Sequence, residues 1–426
     1  MRLLCVPPSH SRLRNATADR VIILYSQPQA ADRGSVGTGI IESFRRRQLS
    51  PAPRAWDLAS IALAVMAADA NVPRDTSPDG WTRQIELMVA VHEKDFWDSQ
   101  RPLLEQLLRF LTTDVWTLEF LTGGVHPATP SRVVQPIEDC VTLLSGGLDS
   151  LIGAIDLSLG AGMHPFAVSQ VALGDTEKQS RFASSIAGGL SVLQLNHNAH
   201  CPSAAERSQR ARSFVFLTYG ALVATALRDY AISPPVRLYV CENGLISVNP
   251  PFTAARLGSL STRTTHPIFL AYFRELVNNA GLHIIIEAPY QFKTKGEMLR
   301  ECIDQTLLRQ LAHQSTSCGR YARNNYRHCG RCVPCLIRRA AFQVWNVPDR
   351  TSYLASDLSI DDTDHKNFDD VRAAGLAVLS AREQGVANWM GASLLSPHVP
   401  DPSSYEATVE RGLNELGAFL SHVGVL

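Results

Sequence analysis

Between Ile137 and about Leu311 short apolar runs alternate with helical segments, and this alternation limits the possible folds more than any other feature of the chain. Cys140–Leu144 reads as a strand that leads through a glycine turn into a helix over Ser150–Leu159. Pro165–Val171 reads as a second strand, followed by a helix after Asp175 and a third strand at Ser191–Leu195. Ser213–Arg228 is a strongly apolar helix, and Val236–Val240 is a strand that ends in Glu242-Asn243-Gly244. His266–Asn278 is a helix and His283–Glu287 a fifth strand. Strands that are apolar along their length and separated by helices belong to a parallel sheet covered on both faces. Ligands of such sheets bind beyond the carboxyl ends of the strands. The turns after these strands are therefore where chemistry is expected.

The flanking regions follow other patterns. The first 135 residues read as a small mixed α+β domain. Arg20–Tyr25, Ile85–Val91 and Val115–Phe120 are its strands, Trp56–Ala70 and Leu103–Leu111 its helices, and Arg74–Gly80 a turn. Thr122–Pro136, rich in Gly, Pro, Thr and Ser, is the best linker. After Asp349 the segments Phe368–Glu383 and Tyr405–Val423 are helical around a Pro-rich break at Ser396–Ser404. The expected division is 1–135, 136–345 and 346–426, the last a helical cap with no chemistry of its own. With 426 residues, 45% hydrophobic and 19% charged, the chain lies in the globular range. Forty basic against forty acidic residues exclude a protein that coats nucleic acid by bulk charge, and leave room for a local patch. The longest apolar runs, Ser60–Ala68 and Val215–Leu227, are too short to span a membrane. Met1–Pro8 is followed by no apolar signal core. A cytoplasmic protein is expected.

The sharpest local signal is Ser145-Gly146-Gly147-Leu148-Asp149-Ser150, set between a strand and a helix. Paired glycines let backbone amides approach an anion at the head of the following helix, and the two serines add hydroxyl donors. Asp149 suits a magnesium partner or an anchor for the loop. The loop is not of the Walker type, because no Lys follows the glycines. The second signal is Cys318-x10-Cys329-x2-Cys332-x2-Cys335. Four thiolates fill a tetrahedral zinc shell and leave no open position, which marks a structural site; His328 is an alternative ligand.

The glycine loop resembles the pyrophosphate-binding loop of the PP-loop ATP pyrophosphatases. Both signals, in this order, resemble the 7-cyano-7-deazaguanine synthase (QueC-like) family. Arg212 in Arg210-Ala211-Arg212-Ser213, Ala288-Pro289 with Lys293-Thr294-Lys295-Gly296-Glu297, and Pro334-Cys335-x-x-Arg338 match further segments of that family, over about residues 138–345. The resemblance implies an adenine nucleotide alpha-hydrolase-like parallel core with a zinc knuckle, and ATP, Mg2+ and Zn2+ as cofactors. It departs at Glu242–Pro267, where the family's substrate-side residues are replaced. The extended chain is similar in architecture to QueC-like proteins of Qat-type anti-phage defence systems.

The resemblance implies adenylation of a 7-deazaguanine carboxylate. The activated acid then goes to ammonia and a nitrile, or to an amine of a partner protein held by the extra domains. Lys295 would neutralise charge on the α phosphate or pyrophosphate, and Arg212 would hold a carboxylate or phosphate in a fork. Both would serve equally as structural salt-bridge residues. Ordinary nitrile synthesis for deazapurine biosynthesis, RNA modification of the thiolation or lysidine kind, and a non-catalytic zinc scaffold remain alternatives. Nucleic acid is a possible contact of the arginines Arg320, Arg323, Arg327, Arg331, Arg338 and Arg339 around the knuckle.

Overall fold

The structure, a computed structural model, describes residues 1–28, 30–171, 174–202, 206, 210–252, 263–359, 369–394, 396–399 and 401–426. Two five-stranded sheets carry the fold. The first contains β1 (Arg2–Val6), β2 (Arg20–Leu24), β3 (Gly34–Val36), β4 (Gln84–Ala90) and β5 (Val115–Leu121), in the order β3-β2-β1-β4-β5. The second contains β6 (Cys140–Leu143), β7 (Pro165–Gln170), β8 (Val192–Leu195), β9 (Val236–Tyr239) and β10 (Ile284–Glu287), in the order β10-β9-β6-β7-β8. Every pairing in both sheets is parallel. Both sheets are wound alike: the first strand lies at the centre, the next two on one side and the last two on the other.

The mixed α+β character expected of the first 135 residues therefore gives way to an α/β layer. Among the described residues its long helices, Pro53–Asn71 and Lys94–Thr112, cover the inner face. On the outer face Leu4, Val6, Met88, Ala90 and Leu121 form a small cluster under Leu13 and Ala18. Elsewhere that face is exposed: Val115, Thr117 and Glu119 alternate with the buried Trp116, Leu118 and Phe120 along β5. Alternation of this kind is also what an antiparallel sheet produces, which is why the sequence reads as mixed.

Between the sheets lie two pairs of helices. Helices α1 (Ile40–Arg46), α2 (Pro53–Asn71) and α3 (Lys94–Thr112) belong to the first layer. In the second, α4 (Leu148–Ile155) and α5 (Thr176–Ser185) precede α6 (Arg212–Ala224). Helix α2 packs on α6, and α3 packs on the helix Pro267–Asn279. From Ala55 to Asn71 every residue of α2 is buried, as a helix enclosed on all sides must be. Its carboxylates are paired: Asp57 accepts from the amides of His92 (2.7 Å) and Glu93 (2.9 Å) and from Trp97 Nε1 (2.9 Å). One apolar core runs from Leu3 and Trp97 through α2 to Phe214, Leu238 and Phe273. The chain crosses between the sheets through irregular residues 122–139, where the linker was expected.

On the far face of the second sheet, α4 packs on the short helix Lys295–Glu301, which packs in turn on the helix Val333–Trp345. The long C-terminal helix Pro402–His422 closes this side. No helix among the described residues is long and apolar enough to cross a membrane.

The shared core predicts one cooperative unfolding transition. In urea, tryptophan fluorescence, which reports largely on Trp56, Trp81, Trp97 and Trp116 of the first layer, should lose its native signal at the same midpoint as far-ultraviolet circular dichroism of the whole chain. Two separated midpoints would show that the layers are independent.

Candidate active site and metal centre

The strand order of the second sheet reverses between β6 and β9, and a parallel sheet opens a crevice at such a point. The glycine loop follows β6, and Glu242-Asn243 follows β9. A cavity of about 530 Å³ opens there, within the range of small-molecule sites. In the first sheet the matching edge is filled by its own chain: Gly124 lies on the Val91 backbone, so close that a Cβ would fall 2.3 Å from Val91 C.

The glycine loop is tied internally. Ser145 Oγ lies 3.0 Å from Ser150 Oγ and accepts from the Gly147 amide at 3.2 Å, while Ser150 Oγ donates to Gly147 O at 3.0 Å. Gly146 has φ +85°, in the left-handed region, so the turn requires glycine there. Gly147 is the N-cap of α4, whose first-turn amides have no acceptor within the helix. Ser145, Gly147, Leu148, Asp149 and Ser150 all line the cavity, together with Arg212 and Lys295.

Asp149 serves as an anchor. One carboxylate oxygen accepts from Lys295 Nζ, and the other accepts from Asn243 Nδ2 at 2.6 Å and the Asn243 amide at 3.2 Å. The side chains of Lys295 and Asp149 are 8% and 11% exposed, so the pair is largely withdrawn from water. Lys295 is held by a capping box in which Thr294 and Glu297 satisfy each other's amides. Asn243 also caps the next turn through the Ile246 amide at 3.0 Å. Arg212, by contrast, makes no hydrogen bond or ion pair among the described residues. Burial pulls its guanidinium pKa down and Asp175 opposes this; the fork lines the cavity with no hydrogen-bond partner among the described residues.

Glu242 faces the cavity beside Asp149, and Thr265 and Thr264 donate to its carboxylate. Burial pushes its pKa up, against the effect of the Thr265 hydrogen bond. His266 is a neutral helix cap: its Nδ1 accepts from the Ile268 amide at 3.3 Å, and burial pushes its pKa down to about 3. Arg263 donates to Phe110 O at 2.9 Å. Of the region Glu242–Pro267, residues 253–262 lie outside the described residues. Sequence reasoning missed Asn243 as the second partner of Asp149. It also missed Thr316, whose amide donates to Gly146 O at 3.0 Å, and Lys178, which donates to Thr316 Oγ1 and to Asp175 at 3.2 Å. An Asn placed just beyond a strand at the sheet's reversal was the available signal.

The four cysteines converge. Their sulfurs lie within 4.8 Å of one another, with Cys329–Cys335 and Cys332–Cys318 both at 3.9 Å. Zinc–sulfur bonds of about 2.3 Å place the ligands of a tetrahedron about 3.8 Å apart, so the set fits zinc. Amides of Arg320 and Cys329 point at Cys318 Sγ, both at 3.4 Å, and that of Cys332 at Cys329 Sγ at 3.3 Å. His328 stays outside the set, its Nε2 accepting from the Ser317 amide at 3.2 Å. The buried Arg338 donates to Ser315 Oγ (2.8 Å), Ser317 Oγ (3.1 Å) and Ala312 O (2.7 Å), binding the cavity wall to the knuckle. Arg320, Arg331 and Arg339 are engaged by Asp370, Asp369 and Ser356 O, so this part of the arginine cluster serves the fold. Cys241 alone among the remaining cysteines lines the cavity, and burial pushes its thiol up to about 12, unsuited to a nucleophile.

Residues 265–346 match the family model of the queuosine biosynthesis protein QueC. The chain carries a QueC-like domain. It is 30% identical over 96 residues to a 7-cyano-7-deazaguanine synthase of Myxococcus xanthus, covering 21% of this chain and 40% of the relative. It is 30% identical over 89 residues to a 7-cyano-7-deazaguanine synthase of Methanocaldococcus jannaschii, covering 20% and 38%. The chain thus spans about two fifths of the length of these curated relatives. No solved structure matches it. Lys295 and the four cysteines lie inside the QueC-like span; the glycine loop and Arg212 precede it and rest on their own geometry.

The C-terminal helix reaches this site. Glu415 accepts from Thr294 Oγ1, and Arg411 Nε donates to Glu297 at 2.6 Å, so the helix clamps the turn that carries Lys295. The tail expected to lack chemistry of its own therefore positions a cavity residue.

Two outcomes follow. Purified protein should carry one zinc per chain by elemental analysis, and Cys332→Ser should lose the metal and several kcal/mol of stability, since such sites contribute about 10–16 kcal/mol of binding energy. Burial pushes the Glu415 pKa from its ordinary value of 4.5 to about 7. Across that window the folded state keeps a proton that the unfolded state has released, so stability should fall as pH rises to about 7 and then level. Glu415→Gln should remove that slope and gain about 1–3 kcal/mol at pH 8 in denaturant titrations.

Proposed function

We propose that the chain activates the carboxylate of a 7-deazaguanine-type acid with ATP and passes the acyl group to an amine. One observation carries the reading: the glycine loop, the Lys295–Asp149 pair and Arg212, unpartnered among the described residues, share one cavity with a wall supplied by the QueC-like domain. The carboxylate oxygen attacks the α phosphorus and the bond to the β-phosphate oxygen breaks. Pyrophosphate leaves onto the loop amides at the head of α4, where a positive helix end and N–H donors favour it. The mixed anhydride is then attacked at its acyl carbon by a neutral amine; AMP leaves and one proton is released.

In this reading Arg212 binds an oxyanion, Lys295 acts by fixing Asp149 and adding positive charge beside it, and Asp149 holds the loop to the turn after β9. Magnesium would be bound through the oxygens of the triphosphate. The acceptor is a protein amine, because the residues after β9 depart from the synthase pattern at Glu242–Pro267 and the chain carries a further layer and helices outside the matched span. The extended architecture, similar to Qat-type proteins, supports a place in anti-phage defence.

Acid-dependent exchange of labelled pyrophosphate into ATP tests the first step. 7-Carboxy-7-deazaguanine should support it, and Asp149→Ala should reduce it about 100-fold or more while zinc content is kept. Intact mass spectrometry of co-expressed neighbouring proteins tests the second, where a discrete mass gain is expected. Efficient formation of the free nitrile from ammonia, with no modified protein, would return the chain to deazapurine biosynthesis.

A further inference from the structure

The cavity wall that carries Arg212 is built on the first layer, which lies outside the QueC-like span. Gly37 donates to His197 O at 2.6 Å, His200 pairs with Ser35, and the Glu206 amide donates to Ala70 O at 2.8 Å. The last tie precedes Arg212 directly: Asp69, at the end of α2, accepts from the amides of both Arg210 and Ala211, the latter at 2.9 Å. Asp69 is fully buried. Its other oxygen accepts from Arg83 Nη2 at 2.5 Å, and the same nitrogen reaches Asp114 at 2.6 Å. Arg74 completes the set on Asp114 at 2.8 Å.

A buried ion network of this size costs desolvation that apolar packing would avoid, so its placement calls for a reason. Its outlet is the start of α6. Arg210 lines the cavity and forms no ion pair with either carboxylate; its guanidinium lies 4.7 Å over the Trp81 ring. Burial pulls its pKa down to about 10, so it stays charged at neutral pH. The charged wall is thus oriented by a carboxylate that never meets the cavity.

We propose that Asp69 is a positioning residue for the oxyanion site: by anchoring the Arg210 and Ala211 amides it fixes the Arg212 guanidinium so that it faces the phosphate end of the nucleotide. The proposal rests on the ATP reading of the cavity. It makes the first layer part of the nucleotide site.

The probe is inorganic pyrophosphate, titrated calorimetrically into the full-length, zinc-loaded protein, so that no knowledge of the acid is needed. Asp69→Asn should weaken binding about 10-fold, and Arg212→Met by at least as much. Because Asp69 acts through Arg212, adding Asp69→Asn to Arg212→Met should cost nothing further. Ala211→Pro provides a milder variant should Asp69→Asn fail to fold. It deletes one amide donor at a residue whose φ of −75° suits proline and leaves the ion network intact. It should weaken binding several-fold, again only when Arg212 is present. Additive losses, or a folded Asp69→Asn or Ala211→Pro with unchanged affinity, overturn the proposal while the ATP site stands. A wild-type protein that does not bind pyrophosphate overturns the ATP site, and this proposal with it.

Discussion

The ion pair between Lys295 and Asp149, completed by Asn243, is the constraint on which the site depends. A charge pair this far from water is stable only when its remaining hydrogen-bonding capacity is met, and breaking it strands the partner. Asn243 meets that capacity with both its side chain and its amide. The three residues come from the first turn of α4, the turn after β9 and the head of the helix Lys295–Glu301. Those elements flank the point where the strand order reverses, so satisfying one carboxylate also fixes the shape of the crevice. Thr294, Glu297 and Glu415 extend the same knot to the C-terminal helix.

Two sheets of the same winding meet through α2 and α6, yet only one keeps an open crevice. The difference is local. In the second sheet the turn after β6 is a glycine loop that leaves helix amides facing a cavity. In the first, the chain after β5 lies down on the end of β4 through Gly124. What the first layer contributes is its opposite edge, where Asp69, Arg74, Arg83 and Asp114 gather at the amino ends of β4 and β5 and face the loop that leads to α6. Such an arrangement turns an added layer into support for a neighbouring site.

The second sheet was legible because its strands are continuous apolar runs and its glycine loop lies between a strand and a helix. Each expected strand from Cys140 to Glu287 appears within a residue or so of its place. The four cysteines were legible by spacing alone. The first layer was read less fully. Strand β1, at the centre of its sheet, is five residues before a pair of prolines, and β3 is three residues around Gly34. Neither has the length for a periodicity to show. Helix α3 begins at Lys94, nine residues before the expected start at Leu103, and carries Pro102 in its interior. Asp69 could not be read at all. Its role depends on meeting Arg83, Asp114 and the amides of residues 210 and 211, and nothing local to an apolar helix announces that.

The charge distribution within the cavity bears on which ligand it suits. One region carries the glycine loop and Arg212, which has no hydrogen-bond partner among the described residues, and these donors would favour an anionic group there. Another carries Glu242 with Thr264 and Thr265, where a carboxylate is held by hydroxyl donors and burial raises its pKa. Two anionic ligand ends would be opposed at that second region. A ligand that places negative charge at one end and N–H donors at the other meets both demands. ATP and a deazaguanine acid together have this character, with the phosphates and carboxylate gathered at the centre of reaction and the amino-bearing heterocycle turned away. Under the proposed function, Glu242 with Thr264 and Thr265 would receive the N–H-bearing end of the acid, and a change confined to that region would leave the anion-binding end of the cavity as it is.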